Sequence, residues 1–468
     1  MMSQEKYIGK LIGNTGNPSD LKMVLQDSFS ARRGEFVKIL HQERPDEEPT
    51  YVLGRITSIS RSNILYNSDL GEGLNSIELL PGTQMTGETL FASIELVGYK
   101  EPATGQIRIP RRPLDPGSKV YGVDYEFLSK FYQFDENKSI AIGNLIGYER
   151  GENIVPVYLD VNKLVTEHLA VLAMTGSGKS YTVGRIIERL VAQMNGTVVV
   201  FDTHGEYGKA FEKGDIHFNT NLYHIEDEKE RESILFIQER FRALQAAGGG
   251  IHVYTPQMEE FDYKYAGKNK HLALQFDRFE MDDFEEILPG LTEPQQRVLD
   301  VAIRYWKYKY PHPPRDIKDL RELLSGDLEE LRNWDEITEA EARALSGRSA
   351  AVASMKLNRV INEARSFYTK AIGEPTDIYK LIGEMNEKYG RLIIIDLQGL
   401  SDDAKQIVTA LVSSEIMRAA ADKQRPIRPC FLVYEEGHNY APAGTPTISK
   451  KIIKKIAAEG RKFGVGFA

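Results

Sequence analysis

The eight residues Ala173-Met174-Thr175-Gly176-Ser177-Gly178-Lys179-Ser180 constrain this chain more than any other stretch. An apolar run, Leu169-Ala170-Val171-Leu172, precedes them, and a helical pattern from Thr182 to Val191 follows. Strand, glycine-rich turn and helix in that order are the setting in which a phosphate loop works. Gly176 and Gly178 let successive backbone N–H groups turn inward around a phosphate without interference from a Cβ. The helix start adds free donors and the positive end of its dipole. Lys179 is placed to reach the β- and γ-phosphates, and the Ser180 hydroxyl to ligate Mg²⁺. Thr175, Ser177 and Tyr181 complete the residues expected around the nucleotide. The position usually held by a first glycine holds Ala173 here, which an extended strand end accommodates. The stretch predicts a site for a nucleoside triphosphate.

The rest of the chain bounds that site. At 468 residues it is long enough for two or three domains. Hydrophobic residues at 41% and charged residues at 27% suit sizeable globular cores. A net charge of -9 excludes a chain that coats nucleic acid with its whole surface, but leaves room for a local basic channel. Cys430 is the single cysteine, so an intrachain disulfide or cysteine metal cluster is excluded and a reducing, cytoplasmic setting is expected. No run approaches the ~18 apolar residues that cross a bilayer.

From residue 7 to about 150, short apolar alternations recur between Gly, Pro and Asn: Tyr7–Gly13, Glu35–Leu40, Tyr51–Ile59, Leu90–Tyr99, Gln106–Pro110 and Ile140–Gly147. Many short strands at near-regular spacing predict a small all-β barrel or sandwich, with one short helix at Tyr125–Tyr132. From 151 to 468 strand and helix patterns alternate, as in a parallel sheet with crossover helices. Residues 162–164 read as a connection into the loop strand. Thr197–Phe201 is a β-branched strand ending in Asp202-Thr203-His204-Gly205-Glu206-Tyr207. Between about 225 and 385 the text is helical and charged, too long for a loop, and reads as a helical insertion. Thr292, with Gln295 three residues on, marks one helix start inside it. The expected class is therefore α/β, a P-loop core with a helical insertion, preceded by a small β-barrel.

A phosphate loop does not distinguish a kinase, a GTPase and a motor. The distinguishing feature is an apolar strand ending in an acid. Leu392–Ile395 ends in Asp396, and Cys430–Tyr434 ends in the adjacent pair Glu435-Glu436. Hydrolysis uses one acid to hold the metal shell and another to orient or deprotonate water. The pair supplies both, with Glu435 on the metal side and Glu436 as base. Asp396, with Asp202, His204 and Glu206, becomes a supporting residue. No Asn-Lys-x-Asp guanine reader is present, so ATP is favoured. Arg461, in Glu459-Gly460-Arg461-Lys462-Phe463-Gly464, reads equally as a helix-end cation or as an arginine aimed at a neighbour's γ-phosphate.

Taken together, Ala173–Ser180, Asp202–Tyr207, Glu435–Tyr440 and Glu459–Gly464 resemble the archaeal HerA family of hexameric DNA translocases, within the HerA/FtsK group of RecA-like motors. The resemblance covers nearly the whole chain. It implies ATP and Mg²⁺ as cofactors, a homo-hexamer with ATP sites between subunits, and double-stranded DNA in a central channel. It also implies a NurA-type nuclease partner in the resection of DNA ends, a barrel that stabilises the ring and docks the nuclease, and Arg461 as a finger acting in trans. The family continues beyond Ala468, and the run Phe463–Ala468 reads as the start of a further buried strand, so the chain is expected to be truncated. Lys450, Lys451 and Lys454 on the basic helix, with Arg348 and Lys356, are the candidate DNA contacts. A solvated basic face is the plainer reading of the same residues. Two other functions share the motifs: a secretion-type motor moving polypeptide, and a nucleotide-gated scaffold that recruits a nuclease.

Overall fold

The structure is a computed structural model. It describes residues 6–26, 31–63, 88–102, 104–132, 135, 137–145, 148, 155–174, 176–208, 228–256, 270–274, 276, 279–312, 315–364, 376–445 and 447–468. The chain divides into two units, one of residues 1–135 and 141–158, the other of residues 136–140 and 159–468.

The first unit is built from seven strands: β1 (Tyr7–Ile12), β2 (Leu21–Leu25), β3 (Phe36–His41), β4 (Thr50–Asn63), β5 (Glu88–Lys100), β6 (Ile107–Arg108) and β7 (Lys119–Gly122). All their pairings are antiparallel. The order β2-β1-β7-β3-β4-β5 closes because β2 also pairs with β5, and β6 extends β5 on the outside. Closure leaves none of those six strands with an open edge. The period-2 alternation explains the interior: Ile8, Leu21, Met23, Val37, Ile39, Val52, Ile56, Ile94 and Val120 fill one core. Helix α1 (Tyr125–Tyr132) packs Leu128 and Phe131 on Phe36 and Leu53 from outside. The barrel expected from the sequence is present. Two of its strands, β2 and β7, were not legible, being five and four residues long. Strands β8 (Ser139–Asn144) and β9 (Pro156–Asp160) form a separate two-stranded sheet.

The second unit begins with α2 (Val161–Glu167), where the sequence suggested only a connection. Asp160 caps it, accepting from Lys163 N at 3.1 Å. Then come α3 (Lys179–Ala192), β10 (Thr197–Asp202), α4 (Glu228–Ala246), β11 (Gly250–Thr255) and β12 (Lys270–His271). The helical block holds α5 (Met281–Ile287), α6 (Glu293–Lys309), α7 (Ile317–Ser325), α8 (Glu329–Arg332), α9 (Glu339–Ala344), α10 (Gly347–Glu363) and α11 (Ile378–Ile382). Thr292 and Gln295 form the expected capping box of α6. The chain closes with β13 (Arg391–Asp396), α12 (Asp402–Ala421), β14 (Cys430–Tyr434), α13 (Lys450–Glu459) and β15 (Val465–Phe467).

The sheet order is β12-β11-β13-β10-β14-β15, and every pairing is parallel. Its central strands read as continuous apolar runs because both faces are covered. Val199, Phe201, Ile393, Ile395, Leu432 and Tyr434 point into one core shared with the helical block. Helices α3 and α4 pack against strands of the same sheet and against each other. Phe201 stacks on Tyr434 with ring centroids 5.0 Å apart. Among the described residues no helix is long and apolar enough to cross a membrane.

Candidate active site

In an open parallel sheet, ligands collect beyond the carboxyl ends of the strands. Three acidic residues stand there side by side. The register that pairs Phe201 with Tyr434 carries Asp202 alongside Glu435, and Asp202 pairs with Asp396 on the other side. The expected strand Leu169–Leu172 is not formed. Leu169 N donates to Phe467 O at 2.9 Å, and no ladder of strand bonds continues from it. Beyond that bond the run has no regular structure, with Leu172 92% and Met174 83% exposed.

The phosphate loop follows. Gly176 and Gly178 sit at φ +79° and +88°, the left-handed region that a side chain disfavours, and nothing lies within 4 Å of a Cβ built on either. The concavity in front of them is open. Gly178 is the N-cap of α3, and Thr182 N makes the first bond back, to Gly178 O at 2.9 Å. The donors ahead of it belong to the helix start, where an anion is stabilised. Ser177 Oγ donates to Met174 O and fixes the turn. Ser180 is half-buried in the first turn of α3. Tyr181 is partly exposed with the Arg185 guanidinium 6.0 Å from its ring centroid. Thr175 lies outside the described residues.

Across the concavity, Lys179 Nζ donates to the carboxylate of Glu436. That bond, more than any other influence, holds the Glu436 carboxyl below the usual carboxylate range. Glu436 adopts φ +52°, ψ +51°, a left-handed conformation rare for a residue with a side chain. Such an outlier costs of order 1–3 kcal/mol and persists only where its surroundings impose it. Here the 3₁₀ turn Gly437–Asn439 imposes it, and Gln406 of α12 holds that turn: Gln406 Nε2 donates to Asn439 O at 3.1 Å, and its Oε1 accepts from Ile448 N at 3.2 Å. His438 Nδ1 lies 3.3 Å from the second Glu436 oxygen.

Glu435 is used differently. It is 7% exposed, and its Oε2 accepts from Thr203 N at 2.8 Å and His204 N at 3.3 Å. Burial first, and then the adjacent Asp202 carboxylate with which it shares a hydrogen bond, hold its carboxyl above the ordinary range. Asp202, fully buried, accepts from Glu206 N at 3.0 Å and Gly208 N at 2.9 Å. Asp396, also buried, accepts from Gln398 N at 3.0 Å. The side chains of His204 and Glu206 are exposed. Two hydroxyls that the sequence did not single out brace this row: Thr203 Oγ1 lies 2.6 Å from Tyr440 Oη and 3.2 Å from Glu435 O. Their only sequence signal was membership of the Asp202–Tyr207 and Glu435–Tyr440 segments.

Lys179, Val183, Tyr207, Glu435, Glu436 and His438 wall one cavity of about 460 Å³. The hydroxyl of Ser180 and the carboxyl of Glu435 are hard oxygen donors of the kind Mg²⁺ takes. No group of three or more acidic, His or Cys residues among the described ones could hold a metal alone.

Arg461 stands on the 3₁₀ turn Gly460–Phe463 between α13 and β15. A Cβ on Gly460 would lie 2.5 Å from Val465 O, so glycine lets the turn sit directly on the strand. Arg461 is exposed and forms no ion pair among the described residues. The candidate DNA contacts separate into two groups. Lys450 Nζ donates to Pro442 O and to Thr445 O, Lys356 Nζ to Pro289 O and Gly290 O, and Lys451 Nζ lies 3.3 Å from Glu285. Those three ammonium groups already have partners within the chain. Lys454 and Arg348 are exposed. Ile452, Ile453 and Ile456 bury the other face of α13.

A parallel sheet, a phosphate loop at the start of α3 and a strand-end acid facing the loop lysine define a P-loop ATPase, a nucleotide-binding enzyme. The chain belongs to the HerA helicase family: residues 140–416 match the family described as Helicase HerA, central domain, and residues 8–102 match the HAS barrel domain. It is 27% identical to a probable helicase of Methanocaldococcus jannaschii, over 99% of this chain and 77% of that protein. It is 26% identical to the DNA double-strand break repair helicase HerA of Pyrococcus furiosus, over 99% of this chain and 79% of that protein. Among solved structures it is similar to a bacterial conjugative coupling protein, with a TM-score of 0.44 and 14% identity over 74% of this chain and 68% of that one.

Proposed function

We propose that this protein is an ATP-driven translocase and helicase on double-stranded DNA, working beside a NurA-type nuclease in the resection of broken ends. The observation that carries the reading is the pairing of Lys179 with Glu436 across an open phosphate loop. In this reading Gly176, Gly178 and the start of α3 cradle the phosphates of ATP, and Lys179 neutralises them. Ser180 and Glu435 would hold Mg²⁺. The bound ion supplies charge neutralisation to the transferring phosphoryl group. Glu436, freed when Lys179 turns to the phosphates, orients and deprotonates the attacking water. Arg461 completes the neighbouring subunit's site in a homo-hexamer. Support for the DNA substrate comes from the family and from the relatives named as break-repair helicases.

The test is steady-state ATP hydrolysis by the assembled ring, with and without duplex DNA and the nuclease. Duplex DNA is expected to raise the rate. A rate unchanged by DNA in the partnered ring would overturn the reading.

A further inference from the structure

His168 is the residue through which the chain enters the phosphate loop, and it is built unlike its neighbours. Its backbone lies at φ +63°, ψ +165°, a region essentially reserved for glycine. A side chain persists there only if its surroundings hold it, and two contacts do so. The imidazole Nε2 donates to Ala457 O, in the last turn of α13, at 3.2 Å. The ring packs against Phe467 in a tilted arrangement, with centroids 4.4 Å apart and planes at 32°. Nδ1 is buried and has no hydrogen-bond partner, so Nε2 carries the ring's one side-chain hydrogen bond.

The two anchors bracket the segment that carries Arg461. Ala457 precedes the turn Gly460–Phe463 and Phe467 follows it, so His168 grips both ends of a short piece of chain with Arg461 in its middle. The next residue adds a third tie, Leu169 N to Phe467 O at 2.9 Å. Helix α2, which His168 terminates, packs on the same turn and on β15. With Gly460 pressed against Val465 O, the turn has little freedom except to move with β15 and the end of α13.

From this geometry we infer that His168 is a positioning residue for Arg461, tying the entrance of one subunit's phosphate loop to the arginine that serves the next subunit. The inference rests on the reading of Arg461 as a finger acting between subunits. It assigns His168 no contact with nucleotide. Its strained backbone is a cost retained because the ring must reach Ala457 and Phe467 together.

The experiment mixes two full-length parents. Lys179→Ala subunits lack a working loop but carry Arg461, and Arg461→Ala subunits carry a working loop. In mixed rings, ATP hydrolysis is restored where an intact loop meets an intact arginine. His168→Gly is then added to one parent at a time. In the Lys179→Ala parent it should lower the restored kcat by about 10–100-fold, with KM for ATP unchanged. In the Arg461→Ala parent it should leave the restored rate within about twofold. Glycine suits the backbone at 168, so the melting temperature of His168→Gly should be no lower than that of the native chain, which separates lost positioning from lost folding. Loss only in the Arg461→Ala parent, equal loss in both, or no loss in either would overturn the inference. If the two parents fail to complement at all, the shared-site reading itself falls, and the inference falls with it.

Discussion

Lys179 and Glu436 lie 257 residues apart in the chain and meet as an ion pair across the open phosphate loop. Both termini of the pair are set by backbone strain or helix geometry. Lys179 is the first residue of α3, and Glu436, two residues beyond the end of β14, occupies a left-handed conformation. The pairing makes nucleotide and Glu436 competitors for one ammonium group. In the proposed mechanism, a bound triphosphate would draw Lys179 away and free Glu436.

The first prediction follows from that competition. Glu436→Gln removes the base and weakens the competitor, so kcat should fall by about 10²–10⁴-fold while nucleotide binds no more weakly than in the native chain. Lys179→Ala should instead abolish binding. Equilibrium binding of a fluorescent ATP analogue, set beside steady-state hydrolysis, separates the two. A Glu436→Gln protein that still turns over at the native rate would remove Glu436 from the role of base.

A second prediction concerns Glu188, on the helix that follows the loop. It is 1% exposed, and neither of its carboxyl oxygens has a hydrogen-bond partner. Burial pushes its pKa up to about 8, against a smaller opposing influence of Arg185 and Arg189. The unfolded chain loses this proton near 4.5, whereas the folded chain keeps it to about 8. Across that window the folded state binds more protons, so its stability falls as pH rises. Below about 4.5 the penalty is absent, and above about 8 it is complete. Glu188→Met should flatten this part of the pH profile and raise the melting temperature at pH 8, by about 2–4 °C for each kcal/mol recovered. Thermal melts of both proteins from pH 5 to 8 check it, and parallel profiles would show that Glu188 is not the group responsible.

What the sequence made legible was the chemistry that depends on local spacing. The loop glycines, the apolar strands ending in Asp202, Asp396 and Glu435-Glu436, and the capping box of Thr292 and Gln295 are written in adjacent residues, so they could be read directly. At Leu169–Leu172 the apolar run reads as a strand, but strand formation needs a partner ladder, and there only Leu169 N bonds to Phe467 O. Helix α2 was missed because its signal is a single Asp160 cap ahead of seven residues. The split between Glu435 and Glu436 was hidden for another reason. Adjacent residues read as a pair, whereas the parallel register with β10 buries one against Asp202 and the left-handed turn delivers the other to Lys179. No spacing rule contains that register. The same holds for Lys450 and Lys356, whose positive charge reads as a surface feature until their carbonyl partners are seen.

A third prediction tests the support of Glu436. Gln406 both donates to Asn439 O and accepts from Ile448 N, across the turn that fixes the base. Each such bond is worth about 0.5–1.5 kcal/mol. Gln406→Ala should therefore reduce kcat by about tenfold, with little change in KM for ATP. Gln406→Glu keeps the acceptor for Ile448 N but loses the donor to Asn439 O, and should fall between the two. If KM rises while kcat holds, Gln406 shapes nucleotide binding instead.

The last prediction separates the basic residues by what they already bond. Affinity for duplex DNA that rests on phosphate contacts falls steeply with salt, and each contact removed lowers the slope of log K against log salt by about 0.9. Lys454 and Arg348 are exposed, so Lys454→Ala or Arg348→Ala should lower that slope by about one contact each and leave the melting temperature unchanged. Lys450 and Lys356 hold loop carbonyls within the chain. Substituting either by Ala should leave the slope unaltered and reduce stability, by about 1–3 kcal/mol where a carbonyl is left buried without a donor. DNA titrations at several salt concentrations, paired with thermal melts, check both halves. A lowered slope for Lys450→Ala at native stability would mean that its ammonium leaves Pro442 and Thr445 for a phosphate when DNA enters. Unaltered slopes for both Lys454→Ala and Arg348→Ala would place the DNA path elsewhere on the protein.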